Sequence, residues 1–463
     1  MSKRAISAEL VEEHKKLIHK EKKQIELKLP DYGNGYDELV INIVGNVDSG
    51  KSSLCGILSN LLLREELNSQ SSRNIYETFP KLPNLHNILD DGNGLARSKV
   101  LALQHEQDSG RTSSISYNYM IFDHTEPRPR IVSLVDLAGH EAYLKTTITG
   151  VISSYPEHGL ILIAKTITQM TREHYAILAS MGIPILFVLT KTDIIPENNI
   201  KDTIKRIGVL SKRYGKTLMS ITTPDDVKSC VSDEKTFGYI KLSNKSGEGI
   251  PLLIDYISQI NHCKKKQNLN KGFAIDRIYY NITGFGLVVS GITGVEIKKG
   301  DSMFIGPFKG NEFVPVKIRS IHNDYRHFID VLPAGIRGCL CIRLNDVYKH
   351  YLRMGMIICS KVSEINSVKN FEAYIAVFRG TSSNIRVGFN SYINIGLVKC
   401  GIRFNRIRDP ETNIDIDCIK ATKHTLVNIS FMTHHNTINI GDRFFFRAGR
   451  CLGLGKVSSF SPV

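Results

Sequence analysis

Tryptophan is absent from the 463 residues, and the nine cysteines are scattered along the chain. Only Cys339 and Cys341 lie close together, and one residue between two cysteines suits neither a zinc knuckle nor a redox pair. An odd number of scattered cysteines indicates reduced thiols. We therefore expect a cytoplasmic protein.

Long apolar runs are also missing. No stretch approaches the roughly 20 residues that cross a bilayer as a helix, so we expect no membrane partner. The first residues, MSKRAISAELVEEHKK, mix charges and lack a continuous apolar core, so they do not predict a signal peptide. There is no internal repeat or low-complexity tract. We expect a monomer.

Positive charge is in excess. The net charge is +15 and the sequence pI is about 9.3. Such a surplus favours polyanion partners, of which nucleic acid is the commonest, although a basic surface kept for solubility is an open alternative.

The length predicts two or three domains. Residues 1–36 are dense in charge, and Ile6, Leu10 and Leu17 have helical spacing, which predicts an N-terminal helical extension that packs on the body or binds a partner. Over residues 37–265, apolar strand-like runs alternate with helical stretches, which predicts a mostly parallel sheet with helices on both faces. Residues 64–108 are polar and poorly periodic, and they resemble an insertion near a mobile switch. The strand-like runs are LVINIVG, PRIVSLVDL, GLILIAK and PILFVLT.

The pattern changes after the polar linker HCKKKQNLN at residues 262–270. Short strands separated by turn residues then predict two all-β barrels, over residues 268–362 and 366–463. The expected fold class is thus an α/β phosphate-binding domain followed by two barrels.

Residues 45–52, GNVDSGKS, match the pattern GxxxxGK[ST] between a strand and a helical run. Gly45 and Gly50 let backbone N–H groups converge on phosphate oxygens, and the helix N-terminus adds its dipole. Lys51 is expected to reach the β- and γ-phosphates, and Ser52 to bind Mg²⁺. A glycine-rich turn without a ligand is the alternative. The predicted phosphate-binding residues are Gly45, Asn46, Val47, Asp48, Ser49, Gly50, Lys51, Ser52 and Ser53.

The segment DLAGH, residues 136–140, follows the strand IVSLV. Asp136 at a strand end is placed to hold Mg²⁺ through water. Gly139 can offer its N–H to a γ-phosphate because no side chain blocks the approach. His140 lies near the expected attacking water and is the catalytic candidate. A simple strand–turn is the alternative if the segment is taken alone.

The segment TKTD, residues 190–193, follows the strand PILFVL. Asp193 suits the N1–H and the exocyclic amine of guanine, which adenine does not present, and Lys191 can lie over the base. Thr190 opens this segment. A solvated loop is the alternative. The candidates for the guanine carbonyl are Ser243, Asn244 and Lys245, where a backbone N–H is the donor.

A Ser/Thr-rich segment, GRTSS at residues 110–114, lies between GNVDSGKS at residues 45–52 and DLAGH at residues 136–140. Thr112 there can complete the Mg²⁺ shell when a γ-phosphate is present, and the loss of that contact would release the loop. A flexible loop without this role is the alternative.

Together these residues resemble the translational GTPases, the group of elongation factors Tu and 1-alpha. The matching text is GNVDSGKSS, DLAGHE, QMTREHYAIL, TKTD and SNKSG. Residues 89–100 and 105–116 resemble in particular the eukaryotic GTP-binding protein 1 and 2 branch. The resemblance implies GTP or GDP and Mg²⁺ as ligands, barrels that move with nucleotide state, and the ribosome, tRNA or mRNA as partners.

The resemblance also assigns residue roles. His140 matches the histidine that orients the hydrolytic water, Thr112 the switch threonine, and Val47 one side of an apolar gate around that histidine. Two positions depart from the family. Arg111 stands on the usually apolar other side of the gate, which puts the hydrolysis rate in question. Thr190 replaces an asparagine that ties its loop to the phosphate loop, which predicts a lowered guanine affinity with discrimination kept by Asp193.

The sequence thus predicts a GTPase switch that acts on the translation apparatus or RNA. The first alternative is a GTP-binding, RNA-binding module with little hydrolysis, which Arg111 favours. The second alternative is an ATP-using metabolic enzyme, against which Asp193 and the two barrels argue.

Overall fold

A computed structural model of the chain describes residues 37–61, 75–82, 85–92, 94–100, 106, 112, 115–122, 129–260, 271–323, 327–377, 385–419, 424–448 and 451–460. It separates into two units, residues 1–263 and 264–463. The helix predicted over residues 1–36 and the side chain of Arg111 lie outside the described residues.

The first unit is built on a seven-stranded sheet in the order β2-β3-β1-β4-β5-β7-β6. All neighbours are parallel except β2, which runs antiparallel to β3. The central strands are buried along their whole length, except for Asp37 at the start of β1, because both faces are covered. The strands are β1 Asp37–Gly45, β2 Ser116–Phe122, β3 Arg130–Asp136, β4 His158–Ile163, β5 Ile185–Leu189, β6 Thr217–Ser220 and β7 Thr236–Lys241.

Helices cover both faces of this sheet. On one face, Ile41 and Leu160 pack in the same core cluster as residues of α1 and α8. On the other face, the ring of Phe187 in β5 lies 5.7 Å from that of Tyr175 in α5. The helices are α1 Lys51–Leu61, α2 Ile75–Thr78, α3 Leu95–Ser98, α4 Leu144–Ser153, α5 Gln169–Ser180, α6 Glu197–Arg213, α7 Pro224–Ser232 and α8 Ile250–Gln259.

The order of strands places the candidate loops at one edge. Strand β1 lies between β3 and β4. The sequential order of the strands therefore runs in opposite directions along the sheet on the two sides of β1. In open α/β sheets, ligands bind outside the carboxyl ends of the strands at such a point. The sequence-predicted nucleotide residues other than Thr112 all lie at the carboxyl ends of β1, β3, β5 and β7, in the loops that follow them, or in the first turn of α1.

The second unit contains two barrels. In the first, strands follow the order β11-β16-β8-β9-β15-β12, and β11 also pairs with β12, which closes the ring. Along β12, buried and exposed residues alternate, as expected when one face lines a core. Its elements are β8 Phe273–Ile282, β9 Gly286–Thr293, β10 Ile297–Lys298, β11 Ser302–Gly306, β12 Val314–Asn323, β13 Phe328–Ile329, β14 Val331–Leu332, β15 Arg337–Arg343, α9 Asp346–Lys349 and β16 Ile357–Cys359.

The second barrel is closed in the order β18-β21-β20-β19-β23-β24. Its core contains Phe371, Phe404, Phe431, Phe444 and Phe446, all fully buried. The predicted fold class, an α/β domain with a mostly parallel sheet followed by two barrels, is confirmed. The strands are β17 Ser367–Val368, β18 Asn370–Val377, β19 Asn390–Ile395, β20 Val398–Arg408, β21 Thr425–Phe431, β22 Asn436–Thr437, β23 Arg443–Ala448 and β24 Cys451–Phe460.

Among the described residues, no helix has both the length and the apolar character needed to cross a membrane.

Candidate nucleotide site

The loop between β1 and α1 is held by hydrogen bonds from its side chains to its own backbone. Ser49 Oγ donates to the carbonyl of Asn46 at 2.8 Å, and Lys51 Nζ donates to the same oxygen at 2.9 Å. Asp48 and Gly50 have left-handed φ values of 59° and 82°. This curled path leaves the first N–H groups of α1 without helical partners, which is the arrangement that binds phosphate.

Lys51 and Asp136 form a buried pair of opposite charges under this loop. The exposed fraction is 6% for Lys51 and 0% for Asp136. Burial lowers the pKa of Lys51, an effect that the charge of Asp136 partly offsets. Burial likewise raises the pKa of Asp136, against the opposing effects of Lys51 and of hydrogen bonds from Ser52 and Thr112. A bound polyphosphate would add the negative charge that a buried lysine requires.

Three side-chain oxygens meet beside this pair. Ser52 Oγ donates to Asp136 Oδ2 at 2.6 Å, and Thr112 Oγ1 donates to the same oxygen at 3.2 Å. The two hydroxyl oxygens are themselves 2.8 Å apart. Asp136 Oδ1 is buried and has no hydrogen-bond partner in the described part of the chain. The structure thus brings together the three residues that the sequence predicts for Mg²⁺, although they come from α1, β3 and the segment between them.

Gly139 lies directly on the phosphate loop. A Cβ atom at this position would be 2.5 Å from the carbonyl oxygen of Gly45 and 2.6 Å from Lys51 Nζ. Any side chain would therefore push the loop after β3 away from the loop after β1. The Gly139 backbone is positioned beside the lysine that is expected to bind the terminal phosphates.

His140 follows at the surface. Its side chain is exposed, and Nδ1 accepts a hydrogen bond from the backbone N–H of Ala142 at 3.1 Å, which caps the short helix Glu141–Tyr143. Its ring lies edge-on to that of Tyr143, with centroids 6.1 Å apart. The bond to Nδ1 leaves Nε2 as the nitrogen able to contact a water molecule.

The base-side loops are tied to the phosphate loop and to each other. Thr190 Oγ1 donates to the carbonyl of Ser49 at 2.9 Å, so the tether that the family resemblance assigns to asparagine is present here with a threonine donor. Ser243 Oγ donates to Asp193 Oδ1 at 2.7 Å, which fixes the carboxylate and leaves its second oxygen for a ligand. Lys191 has a left-handed φ of 60° at the turn between them.

The loop after β7 is organised around Ser243. Its Oγ accepts hydrogen bonds from the backbone N–H groups of Lys245 and Ser246, at 3.2 and 3.1 Å. The neighbouring Asn244 uses its side chain: Nδ2 donates to the carbonyl of Gly50 at 3.1 Å. The sequence pattern predicts only a backbone donor in this segment, and the role of the Asn244 side chain was missed.

Two further residues near the site were missed. Asp90 Oδ2 accepts a hydrogen bond from Ser53 Oγ at 2.8 Å, and nothing in the polar pattern of its segment signals this contact. His174 in α5 is 1% exposed, and neither ring nitrogen has a partner among the described residues. Burial, with a smaller effect of Lys51, lowers the pKa of His174 to about 3. Its helical spacing from Met170 and Leu178, both buried, is the signal that indicates an inward orientation.

Comparison with known proteins agrees with this arrangement. A family model described as the elongation factor Tu GTP binding domain matches residues 37–262. The chain is 28% identical to GTP-binding protein 1 of Xenopus laevis over 457 residues, which cover 92% of this chain and 64% of that protein. It is 27% identical to GTP-binding protein 2 of Mus musculus over 468 residues, which cover 94% of this chain and 71% of that protein.

The fold also has a solved counterpart. The structure of translation elongation factor SelB from Methanococcus maripaludis, in complex with a GTP analogue, superimposes with a TM-score of 0.61 at 18% identity and covers 93% of this chain and 80% of that one. The first unit of the chain is therefore a GTP-binding domain of the elongation factor Tu type. The chain is thus similar to translational GTPases, with GTP-binding proteins 1 and 2 among its relatives.

Proposed function

We propose that this protein hydrolyses GTP to GDP and phosphate as a nucleotide-controlled switch, and that the residues described above form its active site. The observation that carries the proposal is the convergence of Lys51, the Ser52–Thr112–Asp136 oxygens and the Asp193 loop at one edge of the sheet. The first two groups suit a triphosphate and its metal ion, and the third suits guanine.

A magnesium ion fits the oxygen cluster. Two hydroxyls and a carboxylate are hard oxygen ligands of the kind Mg²⁺ prefers, and Asp136 Oδ1 is buried without a partner in the described part of the chain. Ser52 and Thr112 would hold the ion directly, and Asp136 through water. When bound, the ion would neutralise charge on the β- and γ-phosphates.

The chain's own groups supply the remaining chemistry. Lys51 stabilises negative charge on the terminal phosphates, and the Gly139 N–H donates to a γ-phosphate oxygen. His140 holds the water that attacks the γ-phosphorus as the bond to the β–γ bridging oxygen breaks. Such transfers rely on positioning and electrostatic stabilisation, so slow turnover without a partner is expected.

Thr112 gives the switch. Its hydroxyl is buried in the oxygen cluster, where it would be a ligand of Mg²⁺ while a γ-phosphate is bound, and loss of that contact on hydrolysis would release it. The partner is proposed to be the ribosome, tRNA or mRNA, in the cytoplasm. The net charge of +15 supports a polyanion, and translational GTPases as relatives support the translation apparatus.

Single-turnover hydrolysis of GTP, with and without ribosomes, tests the proposal. We expect His140→Ala to bind GTP like the parent but to lose most of the stimulated rate. A parental rate in this variant would remove His140 from the mechanism. Bound GTP that is not hydrolysed under any of these conditions would favour the alternative, a GTP-binding and RNA-binding module, to which Arg111, next to Thr112 in the sequence, points.

A further inference from the structure

Asn244 lies where the two halves of the nucleotide site meet. Its side-chain Nδ2 donates to the carbonyl of Gly50 at 3.1 Å, one residue before the phosphate-binding Lys51. Gly50 has a φ of 82°, and a Cβ atom there would be 2.8 Å from Asn244 Nδ2. Only glycine at position 50 therefore leaves room for the Asn244 amide. The contact joins residues 194 positions apart in the chain.

The residue next to Asn244 holds the base-recognition carboxylate. Ser243 is fully buried, and its Oγ donates to Asp193 Oδ1 at 2.7 Å. Any displacement of Asn244 is therefore passed through one peptide unit to Asp193. The tether from Thr190 to the carbonyl of Ser49 holds the other base-side loop in the same way.

A third segment holds Asn244 from outside. The backbone N–H of Asp90 donates to the carbonyl of Asn244 at 3.0 Å, and the carboxylate of Asp90 accepts from Ser53 Oγ at 2.8 Å. Asp90 thus joins the loop after β7 to the first turn of α1. A Cβ atom at Gly247 would be 3.0 Å from the ring of Phe79 and 3.3 Å from Leu89, so Gly247 of the same loop also packs closely against these two residues.

We propose that Asn244 is a nucleotide-retention residue, because its side-chain amide fastens the guanine-side loop to the phosphate loop and Asp90 holds it in position for that contact. The proposal rests on the proposed guanine-nucleotide site and deepens it. Asn244 acts through Asp193 and the backbone rather than by reading the base, so it is a positioning residue. It sets how long a guanine nucleotide stays bound and leaves the choice of base to Asp193.

The test is the dissociation rate of a fluorescent methylanthraniloyl-GDP from the full chain, chased with unlabelled GDP. Asn244→Asp keeps the size of the side chain but removes the Nδ2 donor, and Asn244→Ala removes donor and bulk. We expect Asn244→Ala to release the nucleotide about five- to tenfold faster, as for the loss of one neutral hydrogen bond, and Asn244→Asp at least as fast, because its carboxylate also faces the carbonyl oxygen of Gly50. Asp90→Ala keeps the backbone bond to Asn244 but removes the carboxylate that ties this segment to Ser53, and it is expected to accelerate release about two- to threefold.

Glu248→Gln is the matched control, because it changes an exposed side chain in the same loop. The inosine analogue distinguishes retention from base reading: in the Asn244 variants, its release is expected to accelerate by the same factor as that of GDP. If the parent retains GDP and Asn244→Asp behaves like it, the inference is wrong while the proposed function stands. A parent that binds no guanine nucleotide would overturn both.

Discussion

The phosphate half and the base half of the site are built by different means. The phosphate half uses charge: Lys51 and Asp136 are buried together beside two hydroxyls that lie within 3.2 Å of the carboxylate. The base half uses neutral hydrogen bonds between separate loops, such as Thr190 to Ser49 and Asn244 to Gly50. A buried charge demands one particular partner, whereas a loop can be tethered by any donor of the right reach.

The largest effect is expected from Lys51→Ala, which removes the cation of the phosphate half. The variant leaves Asp136 without its buried counter-charge and removes the cation for the phosphates, so GTP affinity should fall by on the order of a thousandfold. Isothermal titration with GTP and Mg²⁺ measures this. Lys228→Ala, at an exposed lysine of α7, is the control. Parental affinity in a folded Lys51→Ala protein would rule out the phosphate-loop assignment.

The next effect is expected from Asp193→Asn in the base half. The amide loses the charged acceptor for the guanine N1–H and amine, which should weaken GTP binding about tenfold or more and relax base choice. Competition between guanosine and xanthosine diphosphates measures the change in base preference, because xanthine carries an acceptor where guanine carries the amine. Guanine preference that persisted in the variant would show that base recognition lies elsewhere.

A third prediction concerns the sheet that carries both halves. His158 in β4 is buried, which lowers its pKa to about 3 from 6.5, and its Nε2 lies 3.1 Å from the Tyr256 hydroxyl. The unfolded chain therefore takes up a proton below pH 6.5 that the folded chain does not, so stability falls on acidification. Between pH 7 and pH 5 this group should remove about 2 kcal/mol from the free energy of unfolding.

His158→Gln should abolish that share of the pH dependence, measured by urea unfolding at both pH values. The buried His174 remains in parent and variant, so the difference isolates His158. His86→Gln, at an exposed histidine, should leave the profile unchanged. An equally steep loss of stability in His158→Gln would show that this imidazole is not kept neutral by the fold.

The smallest effect is expected from Thr190→Val, which has the same shape but lacks the hydroxyl donor to Ser49. GTP affinity should fall about three- to tenfold, with guanine preference unchanged. Thr192→Val is the matched control, because the Thr192 hydroxyl has no hydrogen-bond partner within the described residues. If both variants bound GTP like the parent, the base half would be held by contacts other than this tether.

The same contrast explains what the sequence revealed about the site. Most of the phosphate half lies in one short run that joins a strand to a helix, so the pattern of residues 45–53 predicts it, and Thr112 and Asp136 come from two further short motifs. The tethers of the base half join residues 141 and 194 positions apart. No local pattern contains such pairs, so the role of the Asn244 side chain and of Asp90 appears only in three dimensions.

For the fold, the burial of a strand determined whether its sequence pattern predicted it. The runs that became β1, β3, β4 and β5 are almost wholly buried and apolar, and they were predicted. The edge strand β6 is half exposed along its length, so its four residues carry no such run, and it was missed. The limits 37–265, 268–362 and 366–463 for the three domains, and the helix over residues 1–36, stay predictions.

The buried Lys51–Asp136 pair has a consequence beyond catalysis. Binding of a triphosphate at this pair would add contacts that only the native state makes, so the proposed ligand would contribute to the stability of the native state. The interval between release of one nucleotide and capture of the next is then the period when the protein is most open to proteolysis and aggregation. Selection for slow release would protect the folded chain as well as set the timing of its switch.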